Sequence, residues 1–130
     1  WSSDVCSSDL ACAAGLATLD VIRDERLVEH AAQLGEETLP RLREMKARQP
    51  LIADARGRGL LMGVELRRPD GTPATDEAEA VMYRSLSLGL NFKVTMGNIL
   101  TLTPALTSSR EEMGTALGIL ETSLNDVRGH

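Results

Sequence analysis

Aromatic side chains are almost missing from this chain: Trp1, Tyr83 and Phe92 are the only three in 130 residues. Proteins that hold single-stranded nucleic acid stack bases on such rings, and three scattered rings build no stacking surface. Basic charge is also short. Fourteen Lys and Arg face nineteen Asp and Glu, for a formal charge of −5, whereas a nucleic-acid binder presents a basic stripe. No apolar run approaches the ~18 residues of a membrane span, and no basic start leads into an apolar stretch like that of a secretory signal. Neither nucleic acid nor a membrane is therefore expected as a partner. Cys6 and Cys12 fit no paired CxxC pattern and read as unpaired thiols of a reducing cytoplasm. His30 and His130 lack a Cys, His or Asp at ligand spacing, so no metal site is expected.

What is present suits one globular domain. The chain is 42% apolar and 25% charged, ordinary proportions for a folded protein of a length that can bury its own core. The first ten residues, WSSDVCSSDL, stand apart, with neither a helical nor an alternating period. They resemble, residue for residue, the translation of a common sequencing-library adapter. On that reading residues 1–10 are non-native and the biological sequence starts near Ala11, inside an element.

From Ala11 to about Arg23 the period is helical, with Cys12, Leu16, Leu19 and Ile22 on one stripe. Asp24 is a candidate N-cap for a second helix. That helix carries Leu27, Ala31, Leu34, Leu42 and Met45 on one face, with Glu36, Glu37, Arg41, Arg43 and Lys46 outward. Pro40 removes a backbone donor and predicts a kink or break, and Gln49-Pro50 ends the segment. Two short extended runs follow, Ile52–Ala55 and Leu60–Leu66, punctuated by Gly57 and Gly59 and closed by a turn at Pro69-Asp70-Gly71. Asp76 is placed to cap a third helix running to about Leu88, with Ala80, Val81, Tyr83 or Arg84, and Leu88 along it and Gly89 as its stop. NFKVT and ILTLT read as strands about a Met96-Gly97-Asn98 turn. Ser109 and Glu112 have the spacing of a capping box before a last helix, with Met113, Ala116, Leu117, Leu120, Leu124 and Val127 inward. This order predicts a two-layer α/β sandwich, a small sheet with helices on one face.

The candidate chemistry is incomplete. Gly57, Gly59 and Gly63 in RGRGLLMG suggest a phosphate loop, but such a loop opens a helix, and here the glycines lead into strand-like VEL. A tight crossing between two strands fits them better. Ser85, Ser87, Ser108 and Ser109 lack a nucleophile setting, and Glu111-Glu112 suits the positive end of a helix dipole. A Schiff-base lysine needs a desolvated pocket. The only lysines are Lys46, on a polar helix end, and Lys93, on a short strand.

Three stretches carry a family likeness. ACAAGLATLDVIRDERLVEHAAQLGEETLPRL, ADARGRGLLMGVEL and GNILTLTPALTSSREEM resemble, in that order, the C-terminal segment of class III aminotransferases, pyridoxal-phosphate enzymes of fold type I. The resemblance implies that residues 11–130 are the C-terminal part of the small domain of such an enzyme. It implies pyridoxal 5'-phosphate as cofactor, a small-molecule amino donor and a keto acceptor as partners, and a homodimer. The Schiff-base lysine and the main cofactor contacts then lie upstream of this sequence, so the resemblance assigns no catalytic residue within it. Many members have Arg, which grips a substrate carboxylate, in the pattern N-x-x-R-x-x-P-P-L. Here Thr101 holds that position and Ala105 replaces the second Pro. Thr101 becomes the candidate substrate-binding residue, with Thr103, expected to face the same way, beside it. A neutral or differently anchored substrate follows.

Two alternatives remain at this level: an aminomutase, racemase or decarboxylase relative of the same fold, and a stand-alone, non-catalytic α/β interaction module. Absorption spectroscopy separates the enzyme readings from the module. The full-length protein is expected to show an imine band that borohydride abolishes, and these 130 residues alone none. A cofactor imine on the isolated chain would place the reactive lysine here after all.

Overall fold

In a computed structural model, backbone is described for residues 4–128 and side chains from Ser8 onward. The side chains of Trp1 and Cys6, and His130, lie outside the described residues. Four helices and four strands follow in the order α1 (Asp4–Asp24), α2 (Leu27–Arg48), β1 (Ile52–Arg58), β2 (Leu61–Leu66), α3 (Thr75–Ser87), β3 (Lys93–Thr95), β4 (Ile99–Leu102) and α4 (Arg110–Arg128). The strands form one antiparallel sheet in the order β1-β2-β4-β3. Helices cover one face, so the expected two-layer α/β arrangement is what the chain adopts.

Alternation decides which side of the sheet is covered. Met62, Val64 and Leu66 of β2 and Leu100 and Leu102 of β4 are buried, while the residues between them are not. The buried set joins Leu34, Leu42 and Met45 of α2, Ala78 and Val81 of α3, and Met113, Leu117, Leu120 and Leu124 of α4 in a single core. Two polar pins close its ends. Asn98 donates through Nδ2 to the Leu66 carbonyl at 2.9 Å and accepts the Leu66 N–H on its own carbonyl at 2.8 Å, tying the β3–β4 turn to the end of β2. Gln49 donates to Asn125 at 2.6 Å, linking the end of α2 to α4.

Several expectations change on contact with the structure. Helix α1 starts at Asp4, inside the stretch with no visible period. A helix nucleated over Ala11–Asp24 propagates toward its start at little cost, so a weak pattern suffices there. Asp24 does not cap α2. It ends α1, and Arg26, in left-handed conformation at φ 51°, precedes α2 with no side-chain cap. Pro40 does not break α2, which continues to Arg48. Pro40 is exposed, so the carbonyl it frees faces water, and buried Leu34, Thr38, Leu42 and Met45 hold both halves of the helix. Strand β1 runs through Gly57 to Arg58, beyond the expected end. Asp76 lies within α3, and Ala74 precedes it without a side-chain bond. The buried face of α3 is Ala78, Val81 and Ser85, whereas Ala80, Tyr83 and Leu88 are exposed. Small and hydroxyl residues hid that face from a hydrophobic count. The capping box forms as expected: the Ser109 amide donates to Glu112 Oε2 at 2.8 Å, and the Glu112 amide to Ser109 Oγ at 3.2 Å.

Two glycines set how α2 lies against the sheet. Gly59 turns the β1–β2 hairpin at φ 55°, a conformation costly for other residues. Gly35 of α2 sits directly on it: a Cβ built on Gly35 would lie 2.6 Å from Gly59 Cα and closer still to its carbonyl oxygen. Gly118, exposed in α4, meets nothing within 4 Å. Alanine therefore acts with opposite sign at these two helical sites. Gly35→Ala is expected to lower stability by about 1–3 kcal/mol through overpacking, and Gly118→Ala to raise it by roughly 1 kcal/mol through helix propensity. Chemical denaturation checks both, and shifts of the same sign would contradict this packing.

Candidate functional site

The uncovered face of the sheet is built by register. Outward-pointing rows cross the strands as Arg56–Gly63–Thr101–Lys93 and Asp54–Glu65–Ile99–Thr95, with Arg58 opposite Leu61 at the hairpin end. Thr101 thus sits mid-sheet between Gly63 and Lys93, half-buried, with its hydroxyl 2.7 Å from that of Thr95. A shallow concavity of about 370 Å³ lies over this floor, lined by Arg56, Arg58, Leu61, Gly63 and Thr101. It shares Arg58 and Leu61 with an apolar groove of about 540 Å³ bounded by Val28, Ala31, Thr103, Pro104 and Leu106. The two candidate residues therefore line adjoining hollows. Thr101 belongs to the sheet floor, while Thr103, exposed and past the end of β4, edges the groove.

The acidic groups of this face are already committed. Arg56 donates to Asp54 at 2.7 Å and to Glu65 at 2.9 Å, and Arg67 donates to the other Glu65 oxygen at 2.8 Å. Hydrogen bonds first from Arg56 and then from Arg67 hold the Glu65 carboxyl below its ordinary range, and the Arg56 bond does the same for Asp54. Arg58 differs from Arg56: among the described residues its side chain makes no ion pair or hydrogen bond. Sequence reasoning placed the glycines around it but passed over Arg58. Its two-residue offset from Arg56 on one strand face was the available signal.

Other candidates fall away. Gly57, Gly59 and Gly63 lie in a hairpin and not at a helix start, so they do not form the helix-opening glycine loop that presents backbone N–H groups to a phosphate. His30 donates from Nε2 to the Ser108 carbonyl at 2.8 Å, tying α2 to the loop before α4. Ser109 and Glu112 are spent on the helix cap, and Ser85 is buried in the core. Among the described residues no group of three or more His, Cys, Asp or Glu is placed to hold a metal, and Cys12 is a free, exposed thiol. No helix among them is long and apolar enough to cross a membrane.

The antiparallel sheet is layered with helices on one face and open on the other, and Leu10, Leu16, Leu19 and Val28 are exposed. Comparison makes the class specific. The profile of the aminotransferase class-III family matches residues 6–124, and the chain belongs to that family, whose members depend on pyridoxal phosphate. It is 44% identical to the (R)-1-hydroxy-2-aminoethylphosphonate ammonia-lyase of Vibrio splendidus, over 92% of this chain and 26% of that enzyme. It is 36% identical to the alanine/serine racemase of Pyrococcus horikoshii, over 88% of this chain and 25% of the racemase. A Bacillus anthracis aminotransferase superposes with a TM-score of 0.83 at 36% identity, covering 89% of this chain and 28% of its own. A phospholyase from Arthrobacter in complex with phosphoethanolamine also reaches 0.83, at 32% identity, with coverage of 87% and 28%. The chain therefore spans about a quarter of the length of these relatives.

The described residues do not themselves fit the cofactor. Lys46 and Lys93 are both exposed, and neither has the desolvated pocket that a Schiff-base amine needs. What this stretch presents is a shallow hollow with a threonine hydroxyl on its floor and, among the described residues, one unpaired guanidinium at its edge.

The Glu65 cluster gives a pH test. A carboxyl held below its usual value contributes stability that is intact above about pH 4.3, the ordinary glutamate value. That contribution is lost as pH falls from there through the lowered folded value. Glu65→Gln is expected to weaken the fold at neutral pH and to flatten the acid-side decline, read from urea midpoints between pH 7 and pH 3. Identical slopes in both proteins would contradict a paired Glu65.

Proposed function

We propose that this chain is the C-terminal portion of a pyridoxal-phosphate enzyme that transfers the amino group of a primary amine lacking an α-carboxylate to a keto acceptor. Residues 11–130 are its small-domain part and residues 1–10 are adapter-derived. The enzyme works in the cytoplasm as a homodimer. When bound, the cofactor supplies the electron sink for breaking bonds at the amine carbon. The residues here orient the rest of the substrate.

One observation carries the reading. At the position where the resemblance places a carboxylate-gripping Arg, this chain has Thr101, held against Thr95 on the open face. A hydroxyl forms no bidentate, charge-assisted pair with a carboxylate. Two named relatives support it: the Vibrio lyase is named for an aminoethylphosphonate, and the Arthrobacter phospholyase holds phosphoethanolamine. Both molecules are amines without a carboxylate, and each carries a phosphorus oxyanion at the other end. Thr103 edges the adjoining groove and contacts the substrate's distal part.

The same relatives favour a second reading, in which the enzyme eliminates ammonia or phosphate from such an amine, or epimerises a substrate as the racemase does. Product analysis separates the three. A transaminase needs a keto acceptor and forms one new amine per amine consumed. A lyase releases ammonia or phosphate without an acceptor, and a racemase changes configuration alone.

Turnover of the full-length enzyme on paired substrates tests the central point. Amines are expected to exceed the matching α-amino acids in kcat/KM by about tenfold or more. Thr101→Arg is expected to shift preference toward the amino acids by at least that factor, the size of one charged hydrogen-bonded contact of roughly 1.5–3 kcal/mol. Preference for α-amino acids in the unaltered enzyme would refute the reading.

A further inference from the structure

Arg58 is the feature of the open face that nothing above employs. It projects from the last residue of β1, one strand from Gly63 and two from Thr101, and lines the same hollow as both. Its neighbour Arg56 is neutralised by Asp54 and Glu65, and Glu65 is further occupied by Arg67. Among the described residues no carboxylate of this face remains to pair with Arg58, whose guanidinium therefore contributes net positive charge to the hollow. In register Gly63 lies between Arg56 and Thr101, with Leu61 opposite Arg58, so the floor beside Thr101 carries no side chain at position 63.

We propose that Arg58 is a specificity-determining residue that binds a tetrahedral oxyanion, a phosphoryl or phosphonyl group, at the end of the substrate remote from the amine. The inference rests on the preceding reading that the substrate has no α-carboxylate. The chemistry matches on both sides. A phosphate monoester carries −1.5 to −2 charges at neutral pH, and the planar fork of arginine meets two of its oxygens at once. The Thr95–Thr101 pair shares one hydrogen bond between two hydroxyls, which leaves one O–H free to donate to a third oxygen. Lys93 lies opposite Thr101 on the far edge of the sheet and is exposed there. It does not line the hollow, and so serves as the control cation.

The test uses the full-length enzyme with phosphoethanolamine, propylamine and methylphosphonate as probes. Arg58→Ala is expected to lower kcat/KM for phosphoethanolamine at least 30-fold, mostly through KM, and to leave propylamine within twofold. Arg58→Lys should restore part of the loss, and Lys93→Ala should change neither substrate more than twofold. Equal losses on both amines in Arg58→Ala, no loss on phosphoethanolamine, or a larger loss in Lys93→Ala would each overturn the assignment. If the unaltered enzyme accepts only α-amino acids, the substrate reading fails and methylphosphonate decides the Arg58 question separately. Competitive inhibition that weakens at least tenfold in Arg58→Ala supports an oxyanion site, and absence of inhibition in the unaltered enzyme overturns it.

Discussion

The pairing of β2 with β4 is the constraint on which the rest depends. It joins two segments distant in the chain, Met62 opposite Leu102 and Gly63 opposite Thr101. Because strand side chains alternate, this one register puts Met62, Val64, Leu66, Leu100 and Leu102 into the core and Gly63, Glu65, Ile99 and Thr101 on the open face. A slip by one residue would exchange the two sets. Burial on one side thus fixes the site on the other. The reciprocal bonds between Asn98 and Leu66 hold that register at its end.

The open face combines two kinds of charge. Asp54, Glu65, Arg56 and Arg67 neutralise one another in a partly exposed chain of ion pairs, each of modest strength. Arg58 stands outside that chain. The distinction is one of neighbours and not of residue type: position 56 has Asp54 along its strand and Glu65 diagonally across, position 58 has Leu61 across and a turn beyond. Apolar residues are also exposed on α1, Leu16 and Leu19 among them, and along the groove, where Val28 and Leu61 lie. The stripe on α1 that reads as inward in the sequence has no core to enter within the described residues. That fits a chain covering a quarter of its relatives' length.

Much of the fold was legible because period and turn chemistry agreed. The stripe of α2, the glycine-punctuated hairpin, the Met96-Gly97-Asn98 turn and the Ser109–Glu112 capping box all signal locally what they form. Failures came where tertiary packing overrode a local signal. Pro40 should interrupt a helix, but its exposed side spares it the burial cost while the apolar face anchors both halves. The inner face of α3 is made of Ala78, Val81 and Ser85, too small and too polar to register as a stripe. Asp24 and Asp76 have capping chemistry, yet the chain enters α2 and α3 through Arg26 and Ala74 instead. On the open face the family pattern points to Thr101 as a candidate, whereas nothing local marks Arg58, whose unpaired state follows from the acids its neighbour Arg56 holds.

A crystal structure of the full-length enzyme with bound phosphoethanolamine would locate the phosphoryl group relative to the open face. The phosphoryl group is expected over the Gly63–Thr101 floor, within hydrogen-bond distance of the Arg58 guanidinium, with Thr95 and Thr101 still paired. An open sheet face wholly covered by other parts of the enzyme, with the ligand out of reach of both Thr101 and Arg58, would contradict it.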